Sequence, residues 1–137
     1  MNLLELPFNQ HLGILPSDKE GYILMLPNEL RFQNHLQKVH AAALFALAEG
    51  TAAQFLLDAF PNVQGIVPVV RKAQVKFSKL AEGKIYGKAQ LHLVQTETIE
   101  KDLLEKGRVL FSVLATLYNE LDQAVLSCEF EWFVSKA

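Results

Sequence analysis

The sequence predicts an α+β fold in which a curved antiparallel β-sheet wraps around one long central α-helix. Two observations carry that expectation. Residues 39–60 form an alanine- and leucine-rich run long enough for a helix of five turns or more. After it, the runs 67–79, 84–94 and 124–134 alternate between apolar and polar side chains, the rhythm of strands with one covered and one wetter face. The helix is apolar on nearly every side and the late strands are joined by short turns, so the helix is the element available to cover the sheet.

Length and composition fit one domain spanning residues 1–137. Half the residues are apolar, enough for a core without staples. The net charge of −2 argues against nucleic acid or an anionic lipid surface as a main partner, because both recruit a basic face. A single cysteine, Cys128, excludes an internal disulfide framework and suits a reducing, cytoplasmic setting. It alternates with apolar neighbours and reads as an inert core thiol. Residues 1–7 have no basic region ahead of an apolar run, so no secretory signal is expected. The four histidines and one cysteine show no metal-ligand spacing.

Along the chain, Pro7, Gly13 and Pro16 punctuate an irregular opening with room for a short helix. Tyr22–Leu26 reads as a first strand, and residues 27–38 as a connecting loop. The long helix runs from His40 to about Phe60 and ends before Pro61. Glu49, Gln54 and Asp58 lie inside it, and ionisable groups at that depth make a membrane span improbable. Strands follow at 67–79 and 84–94, with a turn at Ala81–Gly83. In the first, Ala73, Val75 and Phe77 share the covered face. In the second, Ile85, Gly87, Ala89, Leu91 and Leu93 do, against Lys84, Tyr86 and Lys88 on the wetter side. One or two helical turns fill 97–106, closed by Gly107. A hairpin of 108–118 and 124–134 turns at Asn119–Asp122 and places Leu126, Cys128, Phe130, Trp132 and Val134 on one face.

The stretch with chemical character is residues 34–50. Glu49 is a carboxylic acid in an apolar helix, so it has a partner, lies in a cleft, or is held above its ordinary pKa. His40 and Ala41 stand at the helix start, where backbone N–H groups lack intrahelical acceptors and can stabilise an oxyanion. Eight residues separate Ala41 from Glu49, about 12 Å along a helix. One chain cannot place both on one carbonyl carbon; an antiparallel second copy could, in a symmetric dimer. Each residue also has a plainer role available. Glu49 could pair structurally, His40 could cap the helix, and Asn34 could close the loop. Lys72, Lys76, Lys79 and Lys84 read as a solvated sheet face, or with Arg71 as contacts for phosphates.

Asn34, five residues, His40, then Leu47-Ala48-Glu49 resembles the hotdog-fold acyl-CoA thioesterases, the type related to the phenylacetate-pathway enzyme and a branch of uncharacterised thioesterase-like proteins. Those carry His-Gly-Gly where this chain has His40-Ala41-Ala42. Pro7-Phe8, Leu12-Gly13-Ile14, the helical insertion at 97–107 and the closing hairpin extend the likeness along most of the chain. The resemblance implies Glu49 as general base or nucleophile, the Ala41 N–H as oxyanion donor, Asn34 positioning the acid or a water from the neighbouring subunit, and His40 shaping the site. It implies a homodimer, with a tetramer left open, and no cofactor beyond coenzyme A as part of the substrate. The methyl groups of Ala41 and Ala42 leave open a non-catalytic hotdog domain that binds acyl-CoA or lipid. A hydratase on the same fold would need a His-Phe-Pro signature, which the sequence lacks.

Overall fold

The structure, a computed structural model, describes residues 2–137. A short 3-10 turn at Leu3–Glu5 leads to α1 (Pro7–Leu12), β1 (Leu15–Pro16), β2 (Leu24–Leu26) and a second 3-10 turn at Leu30–Phe32. Then come α2 (Ala41–Ala59), β3 (Ile66–Phe77), β4 (Ile85–His92), α3 (Thr96–Lys106), β5 (Arg108–Tyr118) and β6 (Ala124–Lys136). Among the described residues the strands form one antiparallel sheet ordered β1-β2-β4-β5-β6-β3.

Local chemistry accounts for the helix ends. α1 starts on Pro7, whose missing N–H costs nothing there, and stops at Gly13, where φ is 80°. α2 starts after His40, whose extended backbone (ψ 138°) makes it the N-cap. It stops at Phe60, the residue before Pro61, as pre-proline sterics favour.

α2 fills the concave side of the sheet and packs chiefly on β4 and β5. Leu47, Ala48, Ala52 and Leu56 are fully buried. Each such leucine contributes roughly 1.5–3 kcal/mol of transfer free energy. By length and composition α2 could cross a membrane, but here it forms the core with Val113, Leu117, Leu126 and Phe130. Gly87 lets β4 approach it closely, since any Cβ there would overlap the Thr51 side chain. Cys128 is fully buried, and burial pushes its thiol up to about 11.

The expected long helix and the last hairpin stand where the sequence placed them, and the one or two helical turns expected at 97–106 form a longer helix of 11 residues, α3. Four readings need correction. The first strand shrinks to Leu24–Leu26, because Tyr22 turns outward against Tyr86 and Tyr118. The turn at 81–83 does not join neighbours: β3 pairs with β6 and β4 with β5, so residues 78–84 cross from one part of the sheet to another. Tyr86 is buried although it faces outward, because Tyr22 and Lys19 cover it and its hydroxyl donates to Asp18 at 2.8 Å. Leu93 lies beyond β4, exposed, with φ 59°.

β3 explains a further difference. Ala73, Val75 and Phe77 pair across to buried Phe130, Cys128 and Leu126, so they face inward as expected. Yet Val75 and Phe77 remain 36% and 49% exposed. β3 is the last strand of the sheet, α2 packs on it less than on β4 and β5, and its outer main-chain edge is open.

Candidate functional site

The site is built where the chain enters α2. Residues 33–39 form a tight loop closed by a bridge between Gln33 and Val39. Asn34 organises it: its Oδ1 accepts the N–H of Leu36 at 2.9 Å and of Lys38 at 3.2 Å. Gln37 adopts φ 60° to complete the turn. Loop closure, the plainer of the two sequence readings, is therefore what the Asn34 oxygen does. The Asn34 Nδ2 group donates to nothing among the described residues.

His40 follows. Its backbone N–H donates to Phe32 O at 2.7 Å, and its Nδ1 accepts the N–H of Ala42 at 3.0 Å. Accepting at Nδ1 places the proton of the neutral ring on Nε2. The ring thus caps the helix while keeping one donor for something else. Ala41 is the first helical residue, and among the described residues nothing accepts its N–H. This amide sits at the positive end of a helix of 19 residues.

Two pockets flank that helix start. One, of about 350 Å³, is lined by Asn34, Ala41, Leu44, Phe77 and Leu80, with Lys79 among its walls. The other, of about 320 Å³, is lined by Phe8, Leu12, Phe32, His40, Ala42 and Ala46. The structure therefore brings Asn34 and Ala41 to one pocket, places His40 in the wall of the other, and leaves Glu49 two turns along the helix. Phe77 and Leu80 are wall residues that the local pattern does not reveal. They arrive from the end of β3 through long-range pairing.

Glu49 is half-buried on a partly exposed stripe of α2 shared with Phe45 and Ala46. Among the described residues it has neither a hydrogen bond nor an ion pair. Burial raises its carboxyl above the ordinary 4.5. Of the three states the sequence allows, the structure selects a partnerless, desolvated acid. Such an acid holds its proton longer and is a stronger base once ionised, the condition in which a carboxyl takes part in proton transfer near neutrality.

The sequence profile of the family described as a domain of unknown function, DUF4442, matches residues 19–134. No curated protein matches the chain. Solved structures do. A probable thioesterase from Pseudomonas aeruginosa is 25% identical, covering 98% of this chain and 91% of its own, with a TM-score of 0.80. A thioesterase from Haemophilus influenzae is 17% identical over 98% of this chain and 86% of its own, TM-score 0.73. A Bacillus halodurans protein solved with CoA is 19% identical over 81% of this chain and 69% of its own, TM-score 0.64. These likenesses establish the hotdog arrangement of a curved antiparallel sheet around a central helix.

Proposed function

The chain belongs to the DUF4442 family, and from that premise we propose that it is an acyl-CoA thioesterase whose site is completed by two copies of the chain. The observation that carries this reading is the pairing of an unsatisfied N–H at Ala41, in an apolar pocket, with a partnerless, desolvated Glu49 on the same helix. The two groups lie about 12 Å apart, too far to serve one carbon within one chain.

A second copy resolves that distance. β3 offers an open edge of 12 residues whose inward side chains stay uncovered in the single chain. A two-fold axis at that edge joins the two sheets and sets the copies of α2 side by side and antiparallel. Glu49 of one copy then approaches Ala41 of the other. Exposed Val75 and Phe77 become interface residues, which accounts for apolar side chains on the inner face of an edge strand.

In this site the Ala41 N–H polarises the thioester carbonyl. Glu49 takes a proton from water, whose oxygen attacks the carbonyl carbon. The oxyanion that forms is held by the helix N-terminus. Its collapse breaks the C–S bond, and the proton passes to the departing thiolate. A carboxylic acid and coenzyme A leave. Asn34 Nδ2 supplies a donor beside the reacting group, and His40, in the wall of the neighbouring pocket, caps the helix start that presents the Ala41 N–H. Support for coenzyme A as the carrier comes from the fold shared with the B. halodurans protein solved with CoA, and a cytoplasmic setting would supply such substrates.

The methyl groups of Ala41 and Ala42 narrow the entrance and favour a second reading, a domain that binds acyl-CoA without turnover. Hydrolysis of short, long and aromatic acyl-CoAs, followed by thiol release, separates the two. Turnover by the wild type that disappears in Glu49→Ala supports the thioesterase. Saturable binding with no turnover on any substrate supports the binding domain.

A further inference from the structure

Residues 59–81 contain no aspartate or glutamate, yet Arg71, Lys72, Lys76 and Lys79 fall within a nine-residue window of that stretch, in a chain whose net charge is −2. All four are exposed. Among the described residues, none of the four is ion-paired or donates a side-chain hydrogen bond. Lys19, Arg31, Lys38, Lys84 and Lys106, in contrast, each pair with a carboxylate. The acids closest in register lie on β6: Glu131 opposite Lys72 and Glu129 opposite Gln74. Lys76 instead faces Ser127, and Lys79 follows the end of the strand. Lys79 also lines the pocket that holds Ala41 and Asn34.

The geometry points to Lys76 and Lys79, with Arg71 farther along the strand, as the seat of the phosphorylated nucleotide of coenzyme A. This rests on the acyl-CoA reading above. With the thioester at Ala41, the carrier must leave the pocket past its walls, and the cationic strip begins at one of those walls and continues along an exposed strand. A nucleotide with several phosphate charges gains most from cations that no carboxylate already holds. Pairing of two copies through the β3 main chain uses backbone groups and leaves these side chains on the sheet faces.

The test compares the full-length wild type with a Lys76→Ala/Lys79→Ala double variant and with Lys101→Ala on α3, each checked for an unchanged melting curve. One readout is the ratio of kcat/KM for an acyl-CoA to that for the same acyl group on pantetheine. The other is calorimetric binding of the adenosine bisphosphate fragment of coenzyme A. The double variant should lower the ratio by roughly tenfold, the order expected of two exposed ion pairs. It should also weaken fragment binding to match and flatten its salt dependence. Lys101→Ala should leave the ratio unchanged. An unchanged ratio, or an equal loss on both substrates, overturns the proposal. If the wild type hydrolyses no acyl-CoA, the thioesterase reading fails, but the binding arm still decides the nucleotide site. Fragment binding that is lost in the double variant upholds it; equal binding by both proteins, or by neither, overturns it. Turnover of an acyl-carrier-protein thioester in place of acyl-CoA, with these lysines required, also overturns the nucleotide assignment.

Discussion

His40 and Ala42 close the start of the long helix on each other: the imidazole Nδ1 accepts the Ala42 N–H at 3.0 Å. Removing the ring exposes that amide, so His40→Ala should cost about 1 kcal/mol of stability, the usual cost of losing an N-cap. His40→Asn keeps an acceptor at the cap and should recover most of that loss. Chemical denaturation of the three proteins reads the cap. Thioesterase rates on the same samples show whether Nε2 matters beyond it, since Asn restores the cap but places no donor at the Nε2 position.

The carboxyl of Glu49 makes stability depend on pH. Its native pKa lies above the ordinary 4.5 because burial disfavours the charge. The native state thus holds the proton more tightly than the unfolded chain does. The sign follows: the stability it contributes is complete below 4.5 and is lost as pH rises through the raised native value. Glu49→Gln keeps the shape without the charge. It should melt higher than the wild type at neutral pH, and the gap should close in acid. A variant that melts lower at neutral pH would mean that Glu49 has a partner in the assembled protein.

Gly87 and Thr51 set the closest approach of β4 to α2. A Cβ on Gly87 would stand 2.9 Å from Thr51 Cγ2 and 3.0 Å from Thr51 Cβ. Gly87→Ala should therefore destabilise by about 1–3 kcal/mol, the range for overpacking. Thr51→Ala removes the outer atoms of the clash but leaves the Cβ. The double variant should recover part of the loss, and a double-mutant cycle measures that coupling.

How much of this was legible in the sequence follows from the range of each interaction. The long helix shows in its composition, and the inward face of β6 shows in strict alternation from Leu126 to Val134. Both are local signals. The pairing of β3 with β6 across 48 intervening residues or more is not local, so a short turn at 81–83 suggested neighbours where there are none. Tyr86 reads as polar-facing, yet two distant segments bury it. At the site, the residues at the helix start were legible because helix ends have fixed chemistry. The walls from Phe77 and Leu80 were not, because they come from another element.

Tyr22 offers a spectroscopic check of the outer face. Its hydroxyl donates to Asp122, which also pairs with Lys19 at 2.6 Å. Burial first, and then that hydrogen bond to the carboxylate, push its pKa up to about 12. The chain has three tyrosines, so ultraviolet titration should show one phenol ionising near 12. Asp122→Ala should bring that step down. The stability that Tyr22 contributes is present below its ordinary 10.0 and is lost as pH climbs to about 12.

The central claim is that Glu49 of one copy serves Ala41 of the other, and complementation between two inactive variants tests it most directly. Ala41→Pro deletes the N–H at the first helical position, where proline fits and the extended His40 already suits it. Glu49→Gln removes the base. Each variant alone should lose activity by roughly two to four orders of magnitude. Unfolded together and refolded in equal amounts, the two should regain about a quarter of wild-type activity, because half the dimers are mixed and each mixed dimer carries one intact site. Mixtures that stay as inactive as their components, although mixed dimers are present, would contradict a site shared between the two copies.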